Sequence, residues 1–440
     1  MVITMKNTYQ KLYLGLTAVA LMSSCAPEID GVEPTAGPEA IFTKYIAIGN
    51  SLTAGYADNG LYLEGQQVAY PNLIAEQLKK VGGGDFTSPF FSEAQRDGSG
   101  YLRLKALVDG QPVMEPVTAN LAIRGQNPAG KPLYTKHSGE INNYGVPGMR
   151  LDMAFFPGMG SVMGNPYFER LLPEGQNLTQ TYFSETTTKN HTFFSFWLGN
   201  NDVLGYATNG GYENPGDPTT KLTDVATFSN RYGQFIDALT LKSEKGVVAT
   251  IPNVTAVPFF STVTTARIVA GVTASTNGAF KKIFISTESG AREATNEDLF
   301  GLTFPTDTIG KVSEGKPGYG LSPLNPLHDK FVLDKDEIIE VNARITAFND
   351  IIKETAKAKG LALADAYTYL NRVKSPGIVY NGVNINAAFI TGNAFSLDGI
   401  HLTPMGNALI ANLFIDAINA KYKSRITKVD ATAYRGVKFP

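Results

Sequence analysis

Cysteine is all but missing: the chain of 440 residues has one, Cys25, so neither an intramolecular disulfide nor a cysteine-built zinc site can form within it. Histidine is scarce as well, at four, and none stands in a metal-ligating pattern such as His-Glu-x-x-His. No metal or cofactor is therefore expected. Charged residues make up only 18% and nearly cancel, with a net charge of −2, which leaves no basic surface for nucleic acid. Beyond the N-terminal stretch, no segment is long and apolar enough to span a bilayer. What remains is a globular composition, 43% hydrophobic with 25 Phe and 20 Tyr. The 44 Gly and 24 Pro imply many turns and long connections.

The N-terminus carries its own pattern. Lys6 and Lys11 precede a short apolar run, Leu12 to Met22, and Leu21-Met22-Ser23-Ser24 then leads into Cys25. This is similar to a bacterial lipoprotein signal, with Met22 where leucine is usual. Residues 1–24 are thus expected to be a signal peptide. Cys25 would be lipidated and hold the chain to a membrane, each buried CH₂ contributing about 0.8 kcal/mol. The plainer alternative is a free buried thiol. Ala26 after the cysteine favours the outer membrane, so the expected location is the cell envelope. Residues 25–40, acidic and rich in Pro and Gly, read as a flexible tether.

From residue 41 the chain alternates strand and helix patterns. Ile41 to Ile48 is an apolar, β-branched run, and Pro71 to Leu78 reads as a helix stopped by Gly82-Gly83-Gly84. Thr192 to Leu198 and Gly246 to Ile251 are almost continuously apolar, as strands covered on both faces are. Val225, Phe228, Tyr232, Phe235 and Leu239 fall on one helical face, as do Ile338, Val341, Ile345, Phe348 and Ile352. Leu361 to Ala364 is a further strand, and a helix from Pro404 to Tyr422 follows before a C-terminal tail, 424–440. Such alternation predicts an α/β fold on a parallel sheet. Two stretches break it, about 85–140 and 256–332, the first with a hairpin turn at Asp109-Gly110. Both are read as insertions over the carboxyl edge of the sheet, where open α/β folds bind ligands.

Four short blocks carry the chemistry. Gly49-Asn50-Ser51-Leu52 follows the first strand on a tight turn that would expose the Ser51 hydroxyl. Ser51 needs a base to accept its proton. His137 reads as a solvated loop residue, His191 lacks a nearby carboxylate in sequence, and His328 in the second of those stretches could equally be a turn residue hydrogen-bonded to Asp329. His401 has Asp398 three residues before it, with Gly399 between, so one ring nitrogen can face the carboxylate and the other Ser51. Asp398 could instead cap the helix near Pro404. Donors for an oxyanion would be the backbone N–H of Ser51, that of Gly148 in Gly145-Val146-Pro147-Gly148, and the side-chain amide of Asn201 in Gly199-Asn200-Asn201-Asp202. Asn-Asn-Asp after a strand is also ordinary turn chemistry. Trp197 reads as core, and the pairs Phe90-Phe91, Phe155-Phe156 and Phe259-Phe260 as either core or acyl-pocket lining.

Together the blocks resemble the SGNH (GDSL-type) esterase and lipase family, over about residues 41 to 423. The resemblance implies a flavodoxin-like three-layer α/β/α sandwich with a five-stranded parallel sheet. It also implies a serine-dependent ester hydrolase with Ser51, Asp398 and His401 as catalytic residues and Ser51, Gly148 and Asn201 as the oxyanion hole, with Gly145 as rival to Gly148. Asn50 departs from the usual Gly-Asp-Ser-Leu, where an aspartate stands. The expected substrate is an acyl ester of a lipid or glycan. The alternatives are a catalytically silent lipoprotein that binds glycans or lipids, and an acyltransferase using the same acyl-enzyme.

Overall fold

A computed structural model describes residues 33–108, 110–175, 178–313 and 315–440. The expected signal peptide and the Cys25 lipidation site lie outside these residues, as does Asp109. The folded body runs from Thr35 to Pro440. Its centre is a five-stranded sheet of β1 (Tyr45–Gly49), β2 (Asn143–Gly145), β3 (Phe193–Trp197), β4 (Gly246–Ala249) and β5 (Ala362–Ala364). All pairings are parallel and the spatial order is β2-β1-β3-β4-β5. This is the flavodoxin-like order, whose switch point, and hence ligand crevice, lies beside β1 and β3. The expected five-stranded α/β sandwich is therefore the observed fold.

Between the strands run α1 (Ser51–Ala54), α2 (Tyr70–Lys79), α3 (Asn201–Thr208), α4 (Val225–Thr240), α5 (Thr265–Ser275) and α6 (Lys335–Lys359), and α7 (Pro404–Tyr422) follows β5. The central strand β3 is buried throughout because both of its faces are covered. Phe196 packs on Tyr232 and Phe235 of α4, while Trp197 meets Tyr70 of α2 and Phe414 of α7. Trp197 also donates its indole N–H to the Thr250 carbonyl at 3.1 Å, so its one polar atom is paired within the core. The outer layer is held by stacking of Phe228 on Phe348, with ring centroids 3.8 Å apart, between α4 and α6. Local sequence sets the ends of α6: Asp334 and Glu337 form a capping box, and Gly360 stops the helix at φ 65°.

The two stretches that break the strand–helix alternation carry elements of their own. The first holds a hairpin, Tyr101–Val108 with Gln111–Val117, and a smaller one, Ile123–Gln126 with Pro132–Tyr134. Gly110 takes φ 74° at the tip of the larger hairpin, a left-handed position that suits glycine. The second encloses its own small core of Ile268, Val272, Ile285, Phe300, Phe304 and Leu327. Short strands and a single helix carry this core, which is why no long periodicity announces it.

Two boundaries need correction. The tether expected over 25–40 is not flexible at its C-terminal end: Thr35 pairs with Arg425, and Glu39 meets Lys423 at 2.6 Å. Nor is 424–440 a loose tail, since Ile426, Val429 and Ala431 are buried in the main core. Asn412 and Asn419 of α7 satisfy the backbone of that segment, accepting from the N–H groups of Val429 at 2.7 Å and Ile426 at 2.8 Å. Hydrophobic burial plus side-chain capture of backbone groups docks a stretch that has no secondary-structure period of its own. Strand β1 likewise starts at Tyr45 rather than Ile41, which is 62% exposed.

The α4–α6 seam makes a stability prediction. Phe348→Ala removes a fully buried ring and should cost about 3–5 kcal/mol in urea unfolding. Ile339→Ala, at an exposed position of the same helix, should stay within about 0.5 kcal/mol of the parent. Equal effects at the two positions would contradict the packing described.

Candidate active site

Strand β1 ends at Gly49, whose neighbours are Gly145 on one side and Trp197 on the other. A Cβ here would lie 2.7 Å from the Trp197 carbonyl, so only glycine lets the chain pass. Asn50 then caps the single turn α1, its Oδ1 accepting the Leu52 N–H at 3.2 Å. Gly55 closes the turn at φ 80°. Ser51 thus stands as the first helical residue at the carboxyl edge of the sheet, where N–H groups have no intrahelical acceptor.

His401 reaches this serine across 350 residues of sequence: its Nε2 lies 2.8 Å from Ser51 Oγ. Its Nδ1 is 2.9 Å from Asp398 Oδ2. The other oxygen, Asp398 Oδ1, accepts the backbone N–H groups of Ile400 and His401, both at 2.8 Å, which fixes the turn through Gly399 at φ 72°. Burial works to raise the Asp398 carboxyl, but the adjacent His401 and the N–H donors together hold it well below the usual carboxylate range. An ionised carboxylate only accepts, so Nδ1 carries the proton and Nε2 of the neutral ring accepts from the serine hydroxyl. Capping of α7, the alternative task for Asp398, belongs to Thr403, whose side chain accepts from Gly406.

Sequence reasoning missed the segment that joins these two blocks. Asp58 and Asn59 follow the Ser51 turn in left-handed conformations, φ 52° and 62°. The Asp58 carboxylate accepts the Leu397 N–H at 2.9 Å, and its own N–H donates to Ser396 Oγ at 3.0 Å. Asn59 donates its N–H to Asp398 Oδ2 at 3.0 Å. Tyr56 packs its ring against His401 with centroids 4.7 Å apart. The signal was available in Tyr56-Ala57-Asp58-Asn59, a turn-forming run directly after the motif.

On the opposite side lie Gly148 and Asn201. Gly148 sits at φ 76° on a turn whose Pro147 carbonyl accepts from Asn165 Nδ2 at 2.8 Å. Gly145 is committed elsewhere: it pairs within the sheet, and its N–H donates to Asn143 Oδ1 at 2.9 Å. Asn201 begins α3 and donates one amide hydrogen to the Met149 carbonyl at 2.9 Å. A buried network ties these two blocks together. Asp202 accepts the N–H groups of Leu151 at 2.8 Å and Asp152 at 3.1 Å, while Arg150 donates to the Asn201 carbonyl at 3.2 Å. Burial, and then Asp152, push the Asp202 carboxyl up, against the pull of Arg150.

Ser51, Gly148, Asn201, Asp398 and His401 all line one open cleft of about 520 Å³. Both insertions wall it, through Leu102 of the first and Phe259 and Leu302 of the second. Of the paired phenylalanines only Phe259 is there; Phe91 lies under Arg170, and Phe155 stacks on Phe183. The remaining histidines serve other ends. His191 is buried between the carbonyls of Lys189 and Leu239, His328 sits beside Asp329, and His137 donates its backbone N–H to Arg170.

The family described as GDSL-like Lipase/Acylhydrolase matches residues 45–414. Among solved structures, the chain is similar to the lipase/acylhydrolase from Enterococcus faecalis at 12% identity, covering 88% of this chain and 99% of that one with a TM-score of 0.33. A mutant of an acetyl-xylooligosaccharide esterase from Geobacillus Stearmophilus is 10% identical, with coverage of 86% and 95% and a TM-score of 0.36. The extracellular lipase from Streptomyces rimosus is 13% identical, with coverage of 86% and 99% and a TM-score of 0.33. No curated protein matched. With a family match that spans most of its length and takes in every block that meets at the cleft, the chain belongs to the GDSL-like lipase/acylhydrolase family.

Proposed function

We propose that the protein hydrolyses esters through an acyl-enzyme on Ser51. The observation that carries this reading is the unbroken chain from Ser51 Oγ to His401 Nε2 at 2.8 Å, and from His401 Nδ1 to Asp398 at 2.9 Å. Ser51 Oγ attacks the ester carbonyl carbon while its proton passes to His401 Nε2. The tetrahedral oxyanion is met by the N–H groups of Ser51 and Gly148 and by the Asn201 amide. Collapse breaks the bond to the alkoxide, which takes the proton from His401. Water then attacks the acyl-enzyme, giving its proton to His401; the acid departs and Ser51 is restored. Asp398 holds the ring in the required tautomer and balances the imidazolium charge formed in each half-reaction.

We further propose that the substrate is an acyl ester of a lipid or glycan at the cell envelope, with the chain anchored to the outer membrane through Cys25. The support is the Cys25 sequence pattern and the family. The departure at Asn50 does not favour a silent binding protein, because the Asn50 oxygen still caps Leu52 as a carboxylate would.

Ser51→Ala should abolish hydrolysis of p-nitrophenyl acetate by the purified protein, and a rate equal to the parent would refute the mechanism. Asn201→Ala should lower kcat by about 10²–10³, since one oxyanion donor is lost. An unchanged kcat would remove Asn201 from the oxyanion hole. The rate should also fall at acid pH, because an imidazolium at His401 cannot accept from Ser51. With Asp398 held well below the usual carboxylate range, it stays ionised and adds no second acid limb. A kcat/KM that does not fall on acidification, with the protein still folded, would exclude His401 as the base.

A further inference from the structure

A second, much smaller pocket opens beside the nucleophile. It has a volume of about 40 Å³ and shares Ser51, Asn201, Leu204, Ile400 and His401 with the wide cleft. Its remaining walls are mostly apolar, built by Pro252, Val254 and Val257 after β4, Leu370, Phe395 and Leu402. Since a site of about 10–15 Å³ on this scale holds one water, the pocket admits a group of only a few heavy atoms.

The two half-reactions assign the two spaces. The alcohol must leave before water can enter, whereas the acyl group stays bound to Ser51 between the steps. The part that leaves therefore belongs in the wide cleft of about 520 Å³, and the part that stays belongs in the narrow pocket of about 40 Å³. We infer that this protein selects short acyl groups, held in the pocket of Val254, Val257 and Leu370, on alcohols bulky enough to fill the wide cleft. The inference rests on the ester-hydrolase reading above.

Asn50 and Asn200 also line the small pocket, and both are almost fully buried. Asn50 Nδ2 and both amide atoms of Asn200 have no hydrogen-bond partner among the described residues. These atoms are already out of contact with solvent, so it is the size of the pocket that rejects a long chain.

The test is kcat/KM for p-nitrophenyl acetate, butyrate and octanoate, with Ser51→Ala as background. The parent should prefer acetate over octanoate by at least about ten-fold, the discrimination that a few misplaced methylenes produce. Leu370→Ala and, independently, Val254→Ala should narrow that ratio about ten-fold by admitting longer chains. Ser51-dependent hydrolysis with octanoate equal to or better than acetate would overturn the inference while leaving the hydrolase reading intact. An acetate preference that neither variant changes, with both variants melting as folded proteins, would overturn the assignment to this pocket. Loss of Ser51 dependence for every ester would sink the hydrolase reading itself.

Discussion

The site depends on one clasp: the grip of Asp58 and Asn59 on the segment from Ser396 to Asp398. Ser51 and His401 are 350 residues apart, and no strand pairing brings them together directly. The loop after the nucleophile turn is tied to the histidine block by hydrogen bonds of 2.9 to 3.0 Å, two of them using the Asp58 backbone and carboxylate. Because Asn59 donates to the same Asp398 oxygen that faces the histidine ring, the clasp sets the position and the charge of that carboxylate together. Positive φ at Asp58 and Asn59 aims both N–H groups at the partner segment, which is the local strain that functional sites commonly hold.

A matching device stands across the cleft. Asp202 and Arg150 stitch the turn after Gly148 to the first residues of α3, so that the backbone donor and the Asn201 amide move as a unit. The parallel sheet makes both devices possible. Every strand ends at the same edge, and the apolar faces of β3 are satisfied by helices on both sides, which leaves that edge to loops. Loops there carry polar residues without disturbing the core. The two halves of the site can consequently be fixed separately, one by the clasp and one by the Asp202 network.

Much of this is legible in the sequence, and the limits have physical reasons. The strands around Phe196 and Val248, the face of α4 from Phe228 to Leu239, and the helix from Pro404 all stand out because burial imposes a period or a continuous apolar run. Ser51, Asp398 and His401 stand out because their chemistry allows few alternatives in a chain with four histidines. Strand β2 is only three residues long, so its pattern is too short to detect. Asp58, Arg150 and Asp202 escape for another reason: each acts through a contact distant in sequence, and turn-rich segments contain many such polar residues. The docked segment after Ser424 escapes because Asn412 and Asn419 satisfy its backbone, rather than a ladder of its own.

Asn50 shows how one substitution can serve two constraints at once. The position is buried to 1% exposure, and a carboxylate there would have to be desolvated next to Ser51. The amide avoids that cost while keeping the oxygen that caps Leu52. Its nitrogen is then left unpaired, as are both amide atoms of Asn200, in the wall of the small pocket. Unpaired buried polar atoms are destabilising, and in a well-packed molecule they concentrate where a ligand is to arrive. Among the described residues three such atoms belong to this wall, while others stand elsewhere, at Glu169, Tyr232 and Asn342. The departure from the family motif therefore keeps the cap on Leu52 and sets an amide, not a carboxylate, in the wall of the pocket proposed to hold the acyl group.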